Sequence, residues 1–152
     1  DNRAFDVFYI LDDENRPIGT DANLCTVVAD SLKQAIMDPS AVQFDVSRRT
    51  SRQLKNFTLK TQASLSNDTE TNNTILEVIT PDRPGLLAHL ASIFLRFGLN
   101  LCNAKICTLG ERVEDTFYLT DFSHKPLTDL AFGQKLQQTI CSELDARNSE
   151  DT

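Results

Sequence analysis

Asp82-Arg83-Pro84-Gly85-Leu86-Leu87 joins a strand pattern to a helix pattern, and its side chains suit the binding of a small carboxylate. A helix start offers unpaired N–H groups and the positive end of the helix dipole. Pro84 fits the first helical turn, where its missing N–H is not needed. Asp82 can cap the free N–H groups, and Gly85 lets a backbone or ligand approach closely. Arg83 can add a charged hydrogen bond. Asn100, at the start of the next strand, can bond an α-amino or amide group. The same residues also make a well-capped turn without any ligand, and composition does not separate the two readings.

The other polar residues assemble no catalytic motif. His89 lies at helical spacing beside Leu90 and is expected to face partly outward, and His124 falls in a turn. Neither has a nucleophile at motif spacing, so no catalytic residue is expected in this chain. The pairs Asp12-Asp13 and Glu114-Asp115 lie in a turn or alternate across a strand, which reads as solvated faces rather than a metal site. Cys25 and Cys141 fall in helical patterns, and Cys102 and Cys107 in a strand pattern with an odd separation. The odd separation puts the last two on opposite faces, so free thiols in a reducing cytoplasm are expected rather than zinc or disulfides.

Regular elements must hold these residues in place. Phe5–Leu11 is apolar on much of both faces, as an interior strand would be. A helix is expected over Ala22–Met37 with the stripe Leu24, Val27, Val28, Leu32, Ala35 and Ile36. Phe57–Leu65 is a strand candidate, and Ile75–Ile79 a short apolar strand. Leu86–Phe97 reads as a helix, with Gly98 at its left-handed cap. Strands follow over Leu99–Leu109 and Val113–Phe122, then a helix over Thr128–Leu144. The order after residue 74 is β-α-β-β-α.

The 152 residues carry a formal charge of -7, unevenly distributed. Residues 1–38 carry net -5, residues 39–60 net +4 and residues 61–152 net -6. Arg48, Arg49, Arg52, Lys55 and Lys60 thus form a basic connector between two acidic units, either lying along its neighbours or docking a partner. The acidic balance argues against nucleic acid as a partner, because that affinity rests on Lys and Arg. No apolar run approaches the ~18 residues of a membrane span.

The two acidic units are related. Arg3, Asp6, Phe8, Tyr9, Asp12 and Pro17 recur as Arg112, Asp115, Phe117, Tyr118, Asp121 and Pro126, each pair 109 residues apart. Leu32, Gln34 and Ile36 then match Leu136, Gln138 and Ile140 at a separation of 104, with about five extra residues placed ahead of the first helix. The second copy has β-α-β before its matching strand; the first has none, so it is expected to be truncated, and the chain to be part of a longer protein. The expected layout is half a module at 1–38, a basic linker at 39–56 and a strand shared with or completing a sheet at 57–66. A full module at 74–144 and a disordered tail at 145–152 follow. A fourth strand is expected to be missing after the last helix, and an orphan sheet edge invites a homodimer or a swapped oligomer.

Ile79-Thr80-Pro81-Asp82-Arg83-Pro84-Gly85-Leu86-Leu87, with the helix through Phe97-Gly98-Leu99-Asn100, resembles an ACT domain. The string Ala104–Phe117 resembles the last ACT repeat of the PII uridylyltransferase/uridylyl-removing enzyme family. The resemblance implies an α+β fold, a ferredoxin-like βαββαβ plait with an antiparallel sheet and helices on one face. It implies Asp82, Arg83, Pro84, Gly85, Leu86 and Asn100 as ligand positions and glutamine or a related amino acid as the ligand. It also implies PII as the partner of the parent enzyme, and Mg2+ and UTP as cofactors used outside this chain. An ACT tandem from another amino-acid-binding regulator, or from the allosteric tail of a biosynthetic enzyme, is the competing reading.

Overall fold

The computed structural model describes residues 7–12, 14–38 and 59–150. The chain divides into two units that part between Gln43 and Phe44. The basic connector falls almost wholly outside the described residues, as do Phe5 and Asp6 of the expected first strand.

In the first unit, helix α1 spans Ala22–Met37, the range its apolar spacing predicts. Asp21 caps it by accepting from the N–H groups of Asn23 and Leu24, both at 3.0 Å. The expected strand ahead of it is not formed: residues 7–10 have no regular structure, and Leu11 makes only an isolated bridge to Pro17. An interior strand needs a ladder on both edges, and the described residues of this unit supply one rung. Val7, Phe8, Tyr9, Ile10 and Leu11 are accordingly exposed, and α1 buries no residue.

The second unit is the ferredoxin-like plait expected from the sequence. Strands β1 (Gln62–Asp68), β2 (Asn73–Pro81), β3 (Leu99–Lys105), β4 (Thr108–Leu109) and β5 (Arg112–Asp121) form one antiparallel sheet. Its order is β1-β2-β5-β3, with β4 paired to β5. Helices α2 (Leu86–Arg96) and α3 (Leu130–Glu150) cover one face. Leu76 and Val78 on β2 and Val113, Phe117 and Leu119 on β5 point to that face at period two. They meet Leu90, Ile93 and Phe94 of α2 and Leu136, Ile140 and Leu144 of α3. The long strand expected over Leu99–Leu109 is broken instead: a register shift at Leu101/Asn103 leaves Cys102 unpaired, and Ile106 and Cys107 separate β3 from β4. All four cysteines are free.

The missing fourth strand is present after all, but it comes from the other direction. β1 precedes the module and lies antiparallel on β2, from Gln62 opposite Ile79 to Asp68 opposite Asn73. Polar bonds hold it in that place. Gln137 of α3 donates to the Ala63 carbonyl at 3.1 Å, and the Thr61 N–H donates to Asp145 at 2.9 Å. Asn67, Thr74 and Leu127 close a ring: the Asn67 amide donates to the Leu127 carbonyl, the Leu127 N–H to Thr74, and the Thr74 hydroxyl to Asn67. α3 continues to Glu150, so residues 145–150 extend the helix where a tail from 145 was expected.

The repeat is visible in the geometry. Asp121 donates its N–H to the Lys125 carbonyl, and its side chain accepts from the N–H groups of Ser123 and Lys125. Asp12 does the same with Arg16, Glu14 and Arg16, each partner 109 residues earlier. The left-handed residue of each turn also matches, Asn15 at φ 59° and His124 at φ 58°. The helix register needs correcting. The capping residues Asp21 and Asp129 are 108 apart, so Leu32 corresponds to Ile140 and Ile36 to Leu144. The separation of 104 is one helical turn out, a slip that leaves the apolar face unchanged and so cannot be detected from spacing.

This pairing gives a direct contrast. Ile140→Ala should lower the unfolding free energy of the second unit by about 2–5 kcal/mol, because Ile140 is fully buried. Leu32→Ala should change that transition by less than about 0.5 kcal/mol, because Leu32 is half exposed. Denaturant titration of the two variants checks both values.

Candidate functional site

The loop that leaves β2 is pinned from two sides. The Asp82 N–H donates to the Glu111 carbonyl at 2.8 Å, tying it to the turn before β5. The Arg83 side chain is buried, and its Nη1 donates to the Leu144 carbonyl of α3 at 2.8 Å. The N-cap of α2 is Gly85, in the left-handed region at φ 78°. Pro84 therefore precedes the cap, two positions before the first helical residue Leu86 rather than in the first turn, and no cap side chain bonds the first-turn N–H groups. Asp82 is thus not the cap the sequence reading made it. The Gly85 carbonyl accepts from the His89 N–H at 2.9 Å and starts the helix.

Asp82, Arg83, Pro84, Gly85 and Leu86 are brought together by this chain path. Asn100 is not with them. It sits in β3 opposite Thr120, and its amide donates to the Asp121 carbonyl at 2.9 Å. The loop leaves from Pro81, opposite Arg112. The two places are eight residues apart along β5, roughly 25 Å at about 3.3 Å per residue.

Two polar groups near the loop take partners that their spacing does not show. Asp115 was expected on a solvated face, yet it is 1% exposed and points to the helix-covered face between Val113 and Phe117. Its Oδ1 accepts from the Cys107 N–H at 3.1 Å, and its buried Oδ2 has no hydrogen-bond partner among the described residues. Burial pushes this carboxyl above the usual aspartate range; the Cys107 N–H opposes that, and the nearby Asp82 charge adds to it. Period-two alternation did mark Asp115 as facing Val113's side, and that is the signal that could have found it. His89 stays partly exposed, as its spacing suggests, and its Nε2 lies 2.9 Å from Glu143 of α3. Arg96 donates to both Glu143 oxygens, at 2.8 and 2.7 Å. Glu143 is held below the usual range: desolvation works against this, and the bonds from Arg96 and His89 outweigh it. This cluster clamps α2 to α3.

The open face of the sheet carries a hollow of about 360 Å³ lined by Gln62, Ser64, Glu77, Ile79, Glu114 and Thr116, among others. Asp115 also lines it, and the hollow's two outward acids are engaged locally, Glu77 with the Ser64 hydroxyl and Glu114 with Arg112. Among the described residues no three His, Cys, Asp or Glu side chains gather as a metal site. No helix among them is long and apolar enough to cross a membrane.

Two outcomes follow from this geometry. Gly85→Ala forces a Cβ into a left-handed cap and should cost about 1–2 kcal/mol of stability, measured by denaturant unfolding. For Asp115, the folded state keeps its proton to higher pH than an unfolded aspartate near 3.8. That contribution is fully present below 3.8 and is lost as pH rises through the raised value. Asp115→Asn should therefore be more stable than the wild type at pH 7, with the gap closing toward pH 4. A gap independent of pH would contradict the assigned burial.

Comparison with known proteins adds what geometry cannot. No protein-family model matches the chain, and no solved structure matches it. Curated relatives do. The chain is 43% identical over 149 residues to the bifunctional uridylyltransferase/uridylyl-removing enzyme of Pseudomonas putida, covering 98% of the chain and 17% of that relative. Relatives of the same name from Stutzerimonas stutzeri and Pseudomonas syringae pv. tomato are 42% and 43% identical over 147 residues, covering 97% of the chain and 16% of each relative. Over almost all of its length, the chain matches a segment of the bifunctional uridylyltransferase/uridylyl-removing enzyme family, of whose members it spans about one sixth.

Proposed function

We propose that this chain is a regulatory region of a bifunctional uridylyltransferase/uridylyl-removing enzyme, built from ACT modules that sense glutamine in the cytoplasm. In this reading, glutamine shifts the balance between uridylylation of PII and removal of UMP from it. The observation that carries the reading is the loop Asp82–Leu86: it delivers a buried arginine and a left-handed glycine to the start of a helix. That is a suitable seat for an amino-acid carboxylate, in a chain related to an enzyme with two opposed activities. Mg2+ and UTP would serve other regions of such an enzyme.

Regulation of this kind is a linkage effect. Glutamine can shift the opposed activities only by its differential affinity for two states of the protein, typically about 1–3 kcal/mol. Asn100 enters this scheme at a distance. Since it lies at the far end of β5 from the loop of its own module, it would meet a ligand only where two modules come together. Association of modules, as a homodimer or a swapped oligomer, is therefore part of the proposal.

Calorimetry with glutamine on the full-length protein and on this chain tests the reading. Saturable glutamine binding, with unrelated amino acids much weaker, is the expected result. Absence of binding by the full-length protein, or equal binding of unrelated amino acids, would refute it.

A further inference from the structure

We infer that Asp115 receives the ammonium group of the free amino acid bound at the start of α2, an inference that rests on the glutamine reading above. The placement of Asp115 is the first support. On β5 it faces the helices, paired with Val78, while Val113 pairs with Thr80 at the loop end of the sheet. Phe117, two residues further from that end, meets Phe94 of α2 edge to face at 5.3 Å. Helix α2 begins at the loop and runs back over this face. Asp115 therefore lies about 7 Å nearer the loop than Phe117, beneath the earlier turns of α2.

The second support is the state of the side chain. At 1% exposure, Oδ2 keeps an unused acceptor among the described residues. An unsatisfied buried carboxyl oxygen is costly, by more than an apolar replacement would be. Asp82, whose N–H is fixed to Glu111, is close enough for its charge to act on Asp115. Two carboxyls so placed favour a cation between them. The third support is independent of the fold: the first copy of the repeat carries Asp6 at the position matching Asp115.

An amino-acid zwitterion matches this layout. N–H groups at the α2 start take its carboxylate, which leaves the adjacent ammonium in need of an acceptor, and the unused Oδ2 of Asp115 is one. A bare metal ion fits less well, because no third His, Cys, Asp or Glu joins Asp115 and Asp82 among the described residues.

The test compares L-glutamine with its des-amino analogue, 4-carbamoylbutanoate, by calorimetry on wild type and Asp115→Asn. The wild type should prefer glutamine by about tenfold or more, the worth of a charged hydrogen bond. Asp115→Asn should bind the two ligands within about threefold of each other, the glutamine term being the one lost. A variant that keeps the wild-type preference, or a wild type that binds both ligands equally, would overturn the role of Asp115 while leaving the glutamine site in place. A wild type that binds neither would overturn the glutamine reading and this inference with it. A measurement needing no variant runs beside it: the pH at which the Asp115 carboxyl 13C resonance titrates should fall with glutamine and stay put with the analogue. No movement with bound glutamine would also overturn the inference.

Discussion

Strand β2 is hydrogen-bonded on both edges, to β1 and to β5, and the second unit depends on that. A central strand with one bare edge would expose a row of N–H and C=O groups. Here β1 covers them from the N-terminal side, so the sheet gains its fourth long strand without one after α3. The cover is locked from outside the ladder, by Gln137, Asp145 and the ring of Asn67, Thr74 and Leu127. Because β2 is fixed, the point where the chain leaves it is fixed too. The Asp82–Gly85 loop and the start of α2 inherit their position from this strand.

The helix-covered face gives up stability to a buried carboxyl. Around it, the core is closed by Leu, Ile, Val and Phe side chains, which burial stabilises by about 1.5–3 kcal/mol each. Asp115 interrupts that surface with a carboxyl that burial disfavours in its charged form. Arg83 shows the same economy: its guanidinium is spent on holding the loop against α3, at the Leu144 carbonyl, and so positions Gly85 rather than standing in the open. The clamp of Arg96, His89 and Glu143 between α2 and α3 keeps the two helices from drifting apart above this point.

Much of this was legible in the residues. The bounds of α1, the existence of strands β2 and β5 and the left-handed Gly98 follow from apolar spacing, capping residues and turn chemistry. The repeat is legible through the turn, where each aspartate makes the same bonds in both copies, and ambiguous by one turn in the helix, where a shift of four residues conserves the face. What sequence did not supply are the features decided by partners in space. The strand expected over Phe5–Leu11 has no ladder among the described residues 7–11. β1 could have served either module until its partners were known. Gly85 displaced Asp82 as the cap, because φ 78° is open to glycine and closed to most residues. Glu114 and Asp115 look alike in sequence and differ only in which face the strand turns toward the helices.

Backbone amide NMR on addition of glutamine tests the central claim most directly, since it reports where the ligand sits. The account predicts the largest shifts at the Gly85, Leu86 and Leu87 N–H groups and at Cys107, whose N–H bonds Asp115. Shifts confined to the open face around Glu77 and Thr116, or none at all under saturating glutamine, would contradict it.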